Sequence, residues 1–467
     1  MGYFRKRWSC DGGYHQFLVI AVPLILSTGA WSVQQFVDRM FLTWYSPDTI
    51  AAAMPAGILN FTVLSIFIGI ASYGGTFVAQ YYGAGRYDRI GPAIWQGVYV
   101  AIIGGALLCC LIPFALPIFT LVGHGPAIIQ HEVAYFQILC FGGFPAIAGA
   151  SFSGFFSGRG KPWPVMWVNS AATVLNLILD YAFIFGNWGF PEMGIKGAAL
   201  ATVIATLFSA FLFLLLISRK GYRTKYGTLR GWRLEKPLFM RVIRFGLPSG
   251  IQFLLDIAGF TAFILILGRL GATTLAATTI AFNINTIAFM PMIGAGMTVS
   301  ILVGQYLGKD MPDLAQTSVY SGFHLTFIYM TSIALAYVIV PDIFIAPFAA
   351  QADKESFRDI YPLAVFILRF VAVYSVFDTL NIIFSSAIKG AGDTRFVMII
   401  IFMLSLFVLV IPTYLSVVIM AWSITVPWII ATLYLTLLGF AFLFRFLGGK
   451  WKDMRVIERA GPSPALS

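Results

Sequence analysis

Four carboxylates stand in stretches of chain that are otherwise almost wholly apolar: Asp38, Asp180, Asp256 and Asp378. A charge at the centre of a bilayer costs at least ~2.5–3.5 kcal/mol, so an acid retained there points to a task. Asn176 precedes Asp180 by four residues and shares its helix face. Thr202 enters the next apolar run from the opposite side and reaches a similar level. Two carboxylates, an amide oxygen and a hydroxyl form an all-oxygen set, suited to a hard cation such as Na+ or to a shared proton. Asp256 and Asp378 make a second acidic pair. Carboxyl groups in a low-dielectric setting can accept a proton from one side of a membrane and release it to the other. Where an organic cation competes with that proton, the two exchange and no covalent step is needed. The sequence contains neither G-x-x-x-x-G-K-[ST] nor H-E-x-x-H. His124 and His131 fall near the end of an apolar run, where neither a metal nor a catalytic role is expected. No cofactor is expected beyond a coupling ion, H+ or Na+, and no enzyme activity.

These residues need long apolar elements to hold them. Hydrophobic residues are 59% of the 467, charged residues 10%, and the mean hydropathy is +0.86. A soluble domain carries about 25% charged residues. Uncharged stretches recur along the whole chain, each long enough to cross the ~30 Å bilayer core as a helix, whereas barrel strands would show short alternating segments. The expected fold is therefore an all-α membrane protein of about twelve transmembrane helices. The spans read 15–44, 50–82, 91–118, 128–156, 162–187 and 195–219, then 240–268, 274–306, 315–341, 357–388, 395–420 and 422–447. Arg5–Arg7 precede an apolar run that continues too far for a cleaved signal, which favours a retained first helix.

The net charge of +11 could suggest a nucleic-acid partner, but its distribution argues for topology instead. Most of the 30 Lys and Arg residues fall on one side of a twelve-span reading: Arg5, Lys6 and Arg7, the loops holding Arg86, Arg159, Lys309 and Lys389, the segment 220–239, and Arg445 to Arg459. That asymmetry is the positive-inside signature, and it puts both termini in the cytoplasm of a multi-pass inner-membrane protein. At about 1.5 Å per residue, Asp38 and Asp180 lie ~27–35 Å from the inner face and Asp256 and Asp378 ~16–18 Å, near the midplane. Cys10, Cys109, Cys110 and Cys140 show no paired spacing and read as packing residues.

The basic stretch 220–239 divides the chain, and the two sides match without gaps at a constant offset. Pro23 falls on Pro248, Asn60 on Asn285, Gly69 on Gly294, Gln80-Tyr81 on Gln305-Tyr306, Gly83 on Gly308 and Asp88 on Asp313. Further on, after a small change of length, Gly158 and Gly160 fall on Gly390 and Gly392. Two homologous six-helix lobes inserted in the same sense are parallel repeats, with the substrate path expected in a central cleft between them. The organisation expected is a cytoplasmic N-terminus (1–14), an N-lobe (15–219), a basic linker (220–239), a C-lobe (240–447) and a cytoplasmic tail (448–467) that is polar and in part disordered. Pro23 and Pro248, equivalent in the repeat, are hinge candidates.

Five segments in this order carry a family resemblance: QQFVDRMFL around Asp38, AQYYGAGR at the end of the second span, NLILD at 176–180, GIKGAALAT at 194–202 and the G-x-G-D-T run at 390–394. The chain resembles the multidrug and toxic compound extrusion (MATE) family over roughly 15–447. The resemblance implies export of cationic, amphipathic compounds in exchange for H+ or Na+, by alternating access through a V-shaped cleft. Matched by position, Asp38, Asn176, Asp180 and Thr202 are the family's cation or proton site in the first lobe. Asp256 and Asp378 match the acids of spans seven and ten, with Asp256 where other members often carry Glu. The expected partners are small organic cations and the lipid bilayer, with no nucleic acid and a monomeric protein. A flippase for a lipid-linked sugar is the alternative, though acids in both lobes argue against a pyrophosphate cargo.

Overall fold

The computed structural model describes residues 7–349 and 354–458, and Arg5, Lys6, Arg459 and the rest of the tail lie outside them. Among the described residues the regular structure is entirely helical. Eleven helices are long and apolar enough to cross a membrane, twelve if one bent pair is a single span. The first half contains α1 (Tyr14–Tyr45), α2 (Pro47–Gly83), α3 (Ile90–Leu111), α4, α5 (Trp163–Phe185) and α6 (Ile195–Ile217). Here α4 is the pair Pro126–Phe141 and Gly143–Gly158, which meet at a 43° bend. The second half contains α7 (Lys236–Leu267), α8 (Ala272–Gly308), α9 (Pro312–Ile339), α10 (Lys354–Ala391), α11 (Thr394–Ile419) and α12 (Thr425–Leu447).

Local sequence accounts for several boundaries and irregularities. Ser46 caps α2 by accepting the Asp48 N–H, with Pro47 in the first turn where its missing donor costs nothing. Gly186 ends α5 in the left-handed region that an L side chain avoids. In α11 two π-helical turns, Ser405–Val410 and Leu415–Ile419, flank Pro412, whose absent N–H breaks the regular ladder.

The two halves pack as lobes whose main helix contacts are repeated. Within the first, α2 packs on α4 and α1 on α5; within the second, α8 packs on α10 and α7 on α11. Between lobes the contacts are exchanged, α2 meeting α7 and α8 meeting α1. Gly69 and Gly250 let α2 and α7 touch backbone to backbone, the Gly250 Cα lying 2.5 Å from where a Cβ on Gly69 would sit.

One end of the molecule, the end that carries residues 7–13 and 450–458, is drawn shut by a reciprocal pair of bonds. Gln80 Nε2 on α2 donates to the Gly390 carbonyl at 3.0 Å, and Gln305 Nε2 on α8 donates to the Gly158 carbonyl at 2.8 Å. The donors are repeat equivalents, and so are the acceptors. Each bond joins one lobe to the other. Gly83 and Gly308 permit the approach, since a Cβ on either would collide with the carbonyl of the opposite glutamine. Both glutamines are buried, so neither can substitute water for the lost partner.

Two further segments cover the same end. The linker helix Lys220–Tyr226 closes over Arg159. The Arg159 guanidinium sits 3.7 Å from the Phe155 ring centroid and 4.6 and 4.9 Å from those of Tyr222 and Tyr226, so aromatic faces surround the cation. The part of the polar tail that is described, up to Glu458, docks against both lobes. The Val456 N–H donates to Gln80 Oε1 at 2.8 Å, and the Val456 and Ile457 side chains are buried. Glu458 pairs with Arg86 at 3.3 Å and with Arg241, and accepts from the Tyr81 hydroxyl at 2.9 Å. Partial burial opposes the Glu458 charge. Its backbone bond, the Tyr81 hydroxyl and the two guanidiniums outweigh that and hold the carboxyl below the usual glutamate range. On the second lobe, Arg455 pairs with Asp310 at 3.0 Å and Lys452 with Asp313 at 3.1 Å.

Gln80→Ala and Gln305→Ala each leave a buried carbonyl without its donor, an expected cost of ~1–3 kcal/mol. Thermal denaturation in detergent should show a lowered midpoint for both variants. Midpoints equal to that of the unaltered protein would show that these bonds do not hold the lobes together.

Candidate functional site

The structure separates the acids into two groups, and the packing of the helices explains how. The first group lies within the N-lobe, where α1 crosses α5. Asn176 and Asp180 are fully buried, while Asp38 is half-buried and Arg39 beside it is exposed. The Asn176 amide nitrogen, assigned from the bonding network around it, faces the acids. It donates to Asp38 Oδ1 at 3.0 Å and to Asp180 Oδ2 at 3.2 Å. The two carboxyl groups are within hydrogen-bonding reach of each other. At that separation both cannot stay charged in a low dielectric unless a proton or a cation lies between them. Asp180 Oδ1 has no hydrogen-bond partner among the described residues, which leaves a buried oxygen free to take one.

Thr202 lies half-buried on α6, next to Ala201, which packs on Ala182 and Phe183 of α5. Its carbonyl accepts from Thr206, but its hydroxyl enters none of the bonds that join the trio. The structure instead supplies Gln34, whose amide end is 3.1 Å from that of Asn176 and which accepts from the Thr173 hydroxyl at 3.4 Å. One turn further along, Asn169 donates to the Ser27 hydroxyl at 2.7 Å. The signal was present in the spacing. Ser27, Gln34 and Asp38, and Asn169, Thr173, Asn176 and Asp180, both recur at helical intervals, so each forms one polar stripe. The stripes face each other.

The second group lines a cavity of about 600 Å³ between the lobes. From the second lobe come Asp256 on α7 and Asp378 on α10; from the first come Gly69, Tyr73 and Thr76 of α2. Each acid is held by an amide about one helical turn away on its own helix. Asp256 Oδ2 accepts from Gln252 at 3.1 Å, and Asp378 Oδ1 accepts from Asn381 at 2.7 Å. The Asn285 amide bridges α8 to α10, donating to the Tyr374 hydroxyl at 3.4 Å and accepting from Ser375 at 3.3 Å. Phe253, Phe260, Phe282 and Phe289 add aromatic faces to the wall. Neither Asp38 nor Asn176 nor Asp180 lines this cavity.

Charge patterning assigns Lys389 to a loop, and the structure corrects that. Lys389 falls in the last turn of α10 and lines the same cavity as the two acids. Glu132 is fully buried in the first segment of α4, where its Oε1 meets His124 Nδ1 at 2.7 Å.

Two six-helix repeats enclosing a cavity lined by apolar faces and by acids drawn from apolar helices define a polytopic membrane protein of the transporter class. The family follows from comparison with known proteins. The sequence pattern of the MatE family matches residues 23–182 and 248–415, one block in each lobe, and the chain belongs to that family. The relatives include the probable multidrug resistance protein NorM of Mesorhizobium japonicum, 27% identical over 82% of this chain and 82% of its own. The protein of the same name from Thermotoga maritima is 25% identical over 95% of this chain and 94% of its own. Among solved structures, one described as the outward-facing conformation of a multidrug resistance MATE family transporter superposes with a TM-score of 0.85. It is 17% identical and covers 96% of this chain and 98% of its own.

The geometry of the first group makes Asn176 its keystone and Thr202 peripheral. Asn176→Leu removes both bridging bonds and should cost ~2–3 kcal/mol of stability, whereas Thr202→Val should stay within about 0.5 kcal/mol. Denaturation of the two variants side by side measures the difference. The reverse order would contradict the placement of these residues.

Proposed function

We propose that the protein is a secondary active antiporter of the inner membrane that exports cationic, amphipathic organic compounds in exchange for H+ or Na+ by alternating access. The observation that carries this reading is the division of the acids. One group sits in a cavity large enough for an organic molecule, and the other sits within a single lobe, out of that cavity's reach. A substrate ammonium over Phe faces, drawn by Asp256 and Asp378, fits the first. A proton or a sodium ion held by Asp38, Asp180 and Asn176 fits the second.

In this reading the shut end of the molecule is the cytoplasmic one, because the basic residues cluster there. The conformation is then the one that faces outward. Cargo leaves when a coupling ion neutralises the acids. In the cavity the ion competes with the cargo directly; in the N-lobe it acts through the α1–α5 contact, and α1 in turn packs on α8 across the lobe boundary. The cycle completes when the Gln80 and Gln305 bonds break and the cavity opens to the cytoplasm. Two of the relatives carry multidrug resistance in their names, which supports the same cargo class.

The test is ethidium movement in proteoliposomes under an imposed pH gradient or an imposed sodium gradient, for the unaltered protein and for Asp38→Asn. Gradient-driven transport is expected under one of the two, and it should fall by at least about ten-fold in the variant if Asp38 binds the coupling ion. Transport by folded protein under neither gradient would overturn the reading.

A further inference from the structure

The cavity holds a cation that the export of simple cations does not call for. Among the described residues lining it, Lys389 is the one positive group, and it shares the cavity with Asp256 and Asp378. Its backbone is fixed from two directions. The Lys389 carbonyl accepts the Tyr73 hydroxyl at 2.7 Å, and the next carbonyl, Gly390, accepts Gln80 at 3.0 Å. Both donors come from the other lobe, so the root of the side chain cannot retreat from the cavity while that end of the molecule is shut. Lys389 and Asp256 feel each other's charge across the cavity but form no direct ion pair. Gln252 and Asn381 hold one oxygen of each acid, and Asp378 stands about three turns from Lys389 along α10. The result is a wall with two separated poles of opposite sign.

We infer that Lys389 is a specificity-determining residue that reads an anionic group on the cargo, so that the cavity prefers zwitterions over simple cations. The cargo's ammonium lies toward Asp256 and Asp378, and its carboxylate or other anionic group lies toward Lys389. Such a ligand satisfies both poles, whereas a simple cation leaves the Lys389 ammonium without an anion. An ammonium-to-carboxylate hydrogen bond in a cavity that excludes much of the water is strong enough to rank ligands. This inference rests on the cavity being the cargo site.

A matched pair of probes tests it: a rhodamine carrying a free carboxyl, which is zwitterionic, and its methyl ester, which is a cation of nearly the same size and shape. Binding of each to the purified protein is read by fluorescence polarisation, for the unaltered chain and for Lys389→Met, Lys389→Gln and Lys389→Arg. The unaltered protein should bind the free acid at least as tightly as the ester. Lys389→Met and Lys389→Gln should each lose about ten-fold or more on the acid while keeping the ester, and Lys389→Arg should retain the acid. Ester binding shows that each variant is folded. Equal effects on both probes, or none on either, would overturn the role of Lys389. Failure of the unaltered protein to bind either probe would instead remove the cargo site itself, and the inference with it.

Discussion

Two hydrogen bonds, each from a glutamine of one lobe to a glycine carbonyl of the other, hold this molecule in the shape described. They are the same bond made twice, once by each repeat: Gln80 to Gly390 and Gln305 to Gly158. A buried amide that loses its acceptor costs more than the bond itself contributes, because nothing replaces the partner. The lobes are therefore either joined at this end or parted with water between them, and intermediate separations are disfavoured. Such a contact behaves as a two-state element, which a transporter needs if its cavity is to face one side at a time. The repeat also explains the glycines around it. Gly83 and Gly308 lie where the opposite glutamine's backbone passes, and no side chain would fit.

The symmetry is broken where the chemistry lies. In the first lobe the polar residues of α1 and α5 face each other and leave the cavity unlined by their acids. In the second lobe the acids of α7 and α10 point into the cavity. Asn60 and Asn285 are repeat equivalents, yet Asn60 spends its amide on the Cys140 sulfur at 3.7 Å, whereas Asn285 ties α8 to Tyr374 and Ser375 at the cavity wall. A duplicated scaffold thus carries two unlike sites. The tail adds a second asymmetry, since Val456 completes the bonding of the Gln80 amide and Glu458 gathers Arg86 and Tyr81 of the first lobe and Arg241 of the second.

Much of the architecture was legible in the residues. Apolar length alone announced the helices, and the ungapped register of Gln, Asn, Pro and Gly announced the repeat. The acids Asp38, Asp180, Asp256 and Asp378 stood out because a charge within an apolar run is rare, and the structure brings Asp38, Asn176 and Asp180 into mutual contact. The neutral polar partners were not visible in that way. Gln34, Gln252, Asn381 and Tyr374 carry no charge, so only their helical phase relative to an acid could have marked them. Lys389 was misplaced because a lysine near a span boundary satisfies the positive-inside pattern whichever way its side chain points. The docking of residues 450–458 was hidden for a related reason. The sequence of that segment is polar, but its partners are a buried glutamine and a cluster of arginines that no local pattern reveals.

The central claim is that the glutamine-bonded end opens and closes as a unit. The most direct measurement is the distance between spin labels on Asp88→Cys and Lys309→Cys, exposed sites in the two lobes beside that end, in protein whose four native cysteines have been replaced. Double electron–electron resonance on liposome-reconstituted protein, across pH, sodium and cargo conditions, should give two discrete distances whose populations shift. Gln80→Ala with Gln305→Ala should enrich the longer one. A single distance, unchanged under every condition and in the double variant, would contradict the account.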